Sequence, residues 1–217
     1  TGWGNPTITR TVFDAVSSAG FKSVRIPVAW SEFSDANNYV ISDAKMRRVK
    51  EVVDLALASG LIVMINNHWD GGWLNEPIYS KQDELNDRLD KMWTQIAEYF
   101  RDYDDRLLFA GTNEVRRDIN GQTADITWQE PTQEFYTVQN SFNQTFVDAV
   151  RKTGGRNAYR HLVVQSFNTN IGYAVRFFNV PNDVIDNRLM LEVHHYTPFE
   201  FTDGKDDAIW QWGNISS

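Results

Sequence analysis

The chain has 217 residues, enough for one large domain or two small ones, and its 41% hydrophobic and 23% charged residues are ordinary for a globular protein. A net charge of −8 argues against nucleic acid as a partner, because phosphate binding relies on clustered Lys and Arg. Cys is absent, which removes disulfides, thiol nucleophiles and thiolate metal sites together, and no apolar run reaches the roughly 18 residues that a membrane span needs. Aromatic residues stand out at 13%, with eight Trp. Extra Trp serves a core, and it also serves as stacking surface in a sugar-binding cleft.

Helix and strand alternate along the chain. Asn5-Pro6 predicts a helix cap and first turn; Val12, Phe13, Val16 and Ala19 follow at helical spacing, and Gly20 closes the helix. Next comes a short strand, 23-SVRIPV-28. Ser42-Asp43 open a second helix with Met46, Val49, Val53, Ala56 and Leu57 on one face and Gly60 as its stop. The run 61-LIVMIN-66 is continuously apolar, as expected of a parallel strand covered on both faces. A helix is expected over 83–101, a third strand at 107-LLFAGTN-113, and a helix over 131–152 that Gly154-Gly155 stop. Then follow 161-HLVVQS-166, a short helix near 170–178, and a fifth strand, 189-LMLEVHHY-196. The chain reads as one domain, residues 1–217, with no linker, low-complexity tract or repeat.

Five strands alternating with helices imply an α/β fold with a parallel sheet. An open doubly wound sheet and a (β/α)8 barrel compete, the barrel needing about 250 residues. Neither GxGxxG nor a P-loop occurs. Polar functional types end several strands: Arg25 with Trp30 beyond it, Asn66 and His68, Asn113-Glu114, and His194 with Tyr196. Barrel active sites draw on the C-terminal ends of several strands, so this repetition favours the barrel.

Glu114 follows a buried run, and burying an ionisable group is costly unless it is paired or neutralised. It is either a carboxyl of raised pKa suited to acid/base work or a strand-end Glu paired with Arg116 or Arg117. Glu192, His194 and Tyr196 alternate and so face one side of their strand, whereas His195 faces the other and is expected to pack under a helix. A lone His on such a strand is commonly a hydrogen-bonded core residue. Arg25 within a strand needs anionic partners. His68 precedes 69-WDGGWL-74, whose Trp69 and Trp73 read either as loop anchors or as a sugar platform. His68, His194, Glu114 and Glu192 are zinc-binding types, but there is no HExxH, and adjacent His194-His195 face opposite ways. A Ser nucleophile would need a GxSxG elbow, which is missing.

The succession 2-GWGNP-6, 20-GFKSVRIPVAW-30, 64-MINNHWDGGWL-74, 108-LFAGTNEV-115 and 191-LEVHHYTPFEFT-202 resembles glycoside hydrolase family 5, particularly its bacterial endo-β-1,4-glucanases. The resemblance implies a (β/α)8 barrel and retaining hydrolysis of β-glucan chains without a cofactor or metal. It assigns Glu114 as general acid/base, Asn113 as its neighbour on the sugar 2-hydroxyl, and Arg25 as the arginine that orients the nucleophile. It also places His68, His194 and Tyr196 at the −1 subsite, and Trp73 fits a substrate-binding role. By the family pattern the chain holds strands two to six of the barrel; the nucleophile strand lies beyond them. Glu192 is a poor substitute nucleophile, and nothing supports Asp70. A β-glucan polysaccharide or oligosaccharide is the implied partner. Secretion is implied by family and substrate, although no signal peptide is visible. An incomplete barrel exposes strand edges, so a homo-oligomer or a missing barrel segment supplied in trans is expected. The rival readings are a catalytically incompetent carbohydrate-binding barrel fragment and a metal-dependent hydrolase.

Overall fold

The computed structural model describes residues 7–31, 34–35, 37–119, 122–123 and 130–202. The segment 2-GWGNP-6 lies outside them, and with it the Asn5-Pro6 cap. Among the described residues the first helix, α1 (Arg10–Ser18), follows Thr9 and buries Phe13. A short strand, β1 (Ser23–Ile26), comes next. Helix α2 (Asp43–Ala58) is capped by Ser42, whose hydroxyl accepts from the Lys45 N–H, and it buries Met46, Val49, Val52, Val53 and Ala56. Gly60 ends this turn at φ +80°, a left-handed conformation that costs glycine little.

The apolar run after Gly60 forms β2 (Ile62–Asn66), and the long amphipathic helix is α3 (Tyr79–Tyr99). Strand β3 (Leu107–Ala110) leads to a two-stranded hairpin of β4 (Asp118–Ile119) and β5 (Gln122–Thr123), which the sequence pattern did not suggest. Helix α4 (Gln133–Arg151), strand β6 (Leu162–Gln165), helix α5 (Ile171–Phe177), strand β7 (Leu189–Glu192) and the one-turn α6 (Phe199–Thr202) complete the order. The carboxamide of Asn170 caps α5 by accepting from the N–H groups of Gly172 and Tyr173.

Strand order is β1-β2-β3-β6-β7, every pair parallel. A doubly wound sheet reverses its strand order at a switch point. Here each strand adds beside its predecessor in one direction, which is the winding of a (β/α) barrel, and the five strands with their helices are an incomplete one. The strands are shorter than the segments that predict them, most of all β3 and β7. β3 stops at Ala110, although the Gly111 N–H still donates to the Val163 carbonyl of β6 at 3.1 Å, and β7 stops at Glu192, where its partner β6 ends at Gln165.

His195 is exposed rather than packed under a helix, since among the described residues no helix covers that face of β7. Met190, Leu191 and Val193 on this edge are likewise 37–45% exposed.

The core lies between the sheet and α2, α3 and α4. Trp93 is fully buried, with ring centroids 5.5 Å from Phe109 and 4.6 Å from Phe146, and its indole N–H donates to the Gly111 carbonyl at 2.9 Å. At the N-terminal end of β3, Arg160 is 1% exposed. Its guanidinium donates to the carbonyls of Phe100, Tyr103, Asp104 and Leu107 and to the Asn157 side-chain oxygen. Burial lowers its pKa to about 10, so it stays charged at neutral pH while satisfying five acceptors.

Gly111 is the tightest point under the site. A Cβ there would sit 2.6 Å from Phe146 Cδ1 and 2.7 Å from Cγ, and Phe146 is pinned by Trp93. Gly111→Ala is therefore expected to destabilise the fold by about 1–3 kcal/mol, the usual cost of overpacking. Chemical denaturation checks this, and adding Phe146→Leu should return part of the loss; an unchanged midpoint in the single variant contradicts the packing argument.

Candidate active site

Parallel strands end on the same side of the sheet, so the residues that close β1, β2, β3, β6 and β7 meet at one rim. Arg25 lies within β1, beside Met64 of β2. Its Nη2 donates to the Asn113 side-chain oxygen at 2.6 Å, and its Nε lies 3.2 Å from a Glu192 carboxylate oxygen. That second contact is an ion pair without the alignment of a hydrogen bond. The anionic partner a strand arginine requires is thus Glu192.

His68 follows β2. The amide of Asn66 donates to its Nδ1 at 3.2 Å, which leaves the ring proton on Nε2. Burial and the nearby Arg25 charge lower the His68 pKa, so it is a neutral imidazole at pH 7. Asn66 also accepts from the Val28 N–H and, through its carbonyl, from the Trp30 indole, tying the ends of β1 and β2 together.

Glu114 lies four residues past β3 with φ +47°, a left-handed conformation uncommon outside glycine. Its backbone N–H donates to the Gln165 side-chain oxygen at 3.2 Å. The loop after β6 holds the next residue, since the Asn168 N–H donates to the Val115 carbonyl at 2.7 Å. The Glu114 carboxylate receives the His194 Nδ1–H at 2.5 Å and the Tyr196 hydroxyl at 2.9 Å, both on Oε1. Strand-end pairing with Arg116 or Arg117 is not its main contact.

His194 stands between two carboxylates, with Nδ1 toward Glu114 and Nε2 toward Glu192 Oε1 at 2.9 Å. An imidazole that donates from both nitrogens is an imidazolium, and these two acceptors raise its pKa to about 9. The backbone N–H of His194 is fixed by the Thr169 carbonyl at 3.0 Å.

The Glu114 pKa is lowered rather than raised. The His194 hydrogen bond dominates, burial opposes it, and Tyr196 adds to the lowering. For Glu192, burial acts upward but is outweighed by His194, Gln165 and Arg25, so it too titrates below its ordinary value. Two carboxylates, Glu114 and Glu192, therefore face two cations, His194 and Arg25, and the cluster is electroneutral.

Trp73 and Trp69 divide the roles considered for them. The Trp73 indole N–H donates to the buried Asp70 carboxylate at 3.0 Å, and the Arg88 guanidinium covers its ring at 4.3 Å. Those contacts are those of a loop anchor. Asp70 also accepts from the Ser31 N–H, so it pins this loop to the end of β1. Trp69 is 57% exposed.

Sequence reasoning missed Gln165, and it weighed Glu192 as a metal ligand and a nucleophile but not as the partner of Arg25 and His194. The signal for Gln165 was present, because 161-HLVVQS-166 is a third apolar run that ends on a carboxamide. Among the described residues, no group of three or more His, Asp and Glu is arranged to hold a metal ion. Both His194 nitrogens face carboxylates.

The family model described as Cellulase (glycosyl hydrolase family 5) matches residues 1–215. Over 214 residues the chain is 52% identical to the xyloglucan-specific endo-beta-1,4-glucanase BoGH5A of Bacteroides ovatus, across 97% of this chain and 41% of that protein. It is 38% identical over 230 residues to Endoglucanase A of Paenibacillus barcinonensis, across 98% of this chain and 55% of that protein. A solved Bacteroides ovatus GH5 xyloglucanase in complex with a XXXG heptasaccharide superposes with a TM-score of 0.87 at 53% identity, covering 92% of this chain and 42% of that one. The chain thus spans 41–55% of the length of these two curated relatives. With a match that runs nearly end to end and the strand winding described above, this chain belongs to glycosyl hydrolase family 5.

Proposed function

We propose that this chain carries the acid/base half of an endo-β-1,4-glucanase site, with Glu114 as the general acid/base of a retaining double displacement. The observation that carries the reading is the Glu114 carboxylate itself. It lies just past the C-terminal end of a barrel strand, is held by His194 and Tyr196, and rests on a strained backbone. Strain of this kind persists only where the surroundings enforce it, and it gathers at active sites.

In the first step Glu114 protonates the leaving glycosidic oxygen; in the second it takes a proton from the water that releases the glycosyl-enzyme. Its lowered pKa suits the second step directly. Protonation for the first requires a like charge close by, and the nucleophile of a retaining pair, about 5–5.5 Å away, supplies one. Glu192 is not that nucleophile, because Arg25, His194 and Gln165 already engage it. The family pattern expects the nucleophile at the end of a later strand, within reach of Arg25.

Asn113, its oxygen held by Arg25, offers its amide N–H groups to the sugar 2-hydroxyl. His68, His194 and Tyr196 line the −1 subsite. Trp69 offers a more open ring for stacking than Trp73 does. Xyloglucan is the favoured backbone on the strength of the 52% identical xyloglucan-specific relative, with unsubstituted β-1,4-glucan next. A polymeric substrate of this kind is met outside the cell, which is where the activity is placed.

The exposed edge of β7, with Met190, Leu191 and Val193, and the opposite edge at β1 are the seams at which further strands complete the barrel. The 217-residue polypeptide alone is expected to associate, either with itself or with a barrel segment supplied in trans. Analytical ultracentrifugation should give a mass above 25.0 kDa that grows with concentration. A compact monomer overturns that expectation.

The catalytic reading is tested on the natural polypeptide with xyloglucan and carboxymethylcellulose. Glu114→Gln is expected to lower kcat by about 10²–10⁴-fold, the usual contribution of acid/base catalysis, with oligosaccharide affinity retained. Parent protein that binds the oligosaccharides without cleaving either polymer would instead favour a carbohydrate-binding role, and loss of turnover to chelators would favour a metal hydrolase.

A further inference from the structure

Gln165 is fully buried and fixed at every polar atom. Its backbone N–H donates to the Asn143 side-chain oxygen at 3.3 Å, and its carbonyl accepts from Asn143 at 2.8 Å and Gln139 at 3.1 Å, all from α4. Its side-chain oxygen accepts from the Glu114 backbone N–H at 3.2 Å and the Thr112 hydroxyl at 3.4 Å. Its side-chain nitrogen donates to Glu192 Oε2 at 2.9 Å. The other Glu192 oxygen meets His194 Nε2 and Arg25 Nε. A closed path therefore runs from the main chain of Glu114 through Gln165, Glu192 and His194 back to the Glu114 carboxylate.

We propose that Gln165 and Glu192 form one positioning unit for the acid/base. Gln165 holds the Glu114 backbone in its left-handed turn, and Glu192 holds His194 doubly protonated and aimed at the Glu114 carboxylate. The proposal rests on Glu114 being the acid/base, yet the unit is defined by contacts that can be measured without turnover.

The register explains why these two residues act together. Gln165 and Glu192 are partners across β6 and β7, so their side chains leave the sheet at the same height. A carboxamide is the one group at that place that serves both neighbours. It accepts from an N–H on one side and donates to a carboxylate on the other, whereas Glu would set a second negative charge against Glu192 and Leu would serve neither.

The charge on His194 is set by every group facing it. Arg25 comes from β1 and His68 from the loop after β2. Glu114 follows β3, β6 offers the neutral Gln165, and Glu192 and Tyr196 flank His194 on its own strand. Burial acts against protonation, so the two carboxylates must outweigh it. Sign follows directly: His194 stays charged below pH about 9 and loses its proton, and this contact, above it.

The test is an NMR titration of the four imidazoles in the 217-residue chain, with His194→Gln to assign the signal. The parent should titrate near 9 at His194. Glu192→Gln should bring the His194 titration down by about one unit or more, a tenfold or larger loss of imidazolium stability. Glu192→Asp, which keeps the charge but shortens its reach, should fall between the two and serves if the Gln variant fails to fold.

Gln165→Leu should leave His194 titrating above its ordinary value while hydrogen exchange at the Glu114 N–H rises about tenfold or more, since its acceptor is gone. A parent-like His194 titration in a folded Glu192 variant, or unchanged Glu114 exchange in Gln165→Leu, overturns the proposal. If Glu114→Gln instead keeps full glucan hydrolysis, the acid/base assignment fails, while the titration still reports on the unit itself.

Discussion

The parallel register of β1, β2, β3, β6 and β7 is the constraint on which the site depends. Because each strand runs the same way, five chain segments separated by helices deliver their last side chains to one rim. Two residues facing each other across a ladder, such as Gln165 and Glu192, meet at hydrogen-bonding distance with no loop needed to bring them together. A slip of one residue in β7 would turn Glu192 and His194 to the outer face and put Leu191 and Val193 in their place. Electrostatics and chemistry at the rim follow from that pairing.

Two ends of the same sheet use buried charge differently. At the N-terminal end Arg160 carries a full guanidinium whose donors are all met by four carbonyls and one carboxamide oxygen, so it acts as a fixed plug that closes the floor. At the C-terminal end charge is balanced against charge: Arg25 and His194 offset Glu114 and Glu192. A carbonyl-lined cation cannot respond to a proton or a ligand, whereas a balanced cluster redistributes charge when one member gains or loses a proton. Stability and reactivity are thereby separated along the strand axis, with the Trp93, Phe109 and Phe146 packing layer between them.

The fold was legible because its signals are periodic. Apolar runs named all five strands of the main sheet, and the helices α2, α3 and α4 were placed within a few residues. Strand ends were legible for a different reason: polar residues that follow long apolar runs have few explanations, and His68, Asn113, Glu114 and His194 all carry this mark, while Arg25 stood out as a charge inside a strand. What sequence could not supply was the partner of each charge. Arg25 meets Glu192, and Glu114 is lowered by His194, because of a tertiary register that no local pattern encodes. The contacts of Trp73 were hidden on the same account, since Asp70 and Arg88 meet its edge and one face only after the loop closes. His195 was assigned a covering helix that the described residues do not provide.

The left-handed turn at Glu114 joins these threads. A carboxylate that continued the direction of β3 would project along the strand axis, away from His194 on β7, a strand removed from β3 by β6. Rotating φ to +47° turns the side chain across the rim to His194 and Tyr196 while its N–H meets Gln165 on the intervening strand. The cost of such a conformation is on the order of 1–3 kcal/mol, and a backbone hydrogen bond at Gln165 together with the two side-chain contacts is enough to hold it. Relaxing the turn would separate the carboxylate from its imidazolium and return both groups toward their ordinary titration. In this chain backbone strain and the electrostatics of the acid/base are one arrangement, because the turn that stores the first creates the contacts that set the second.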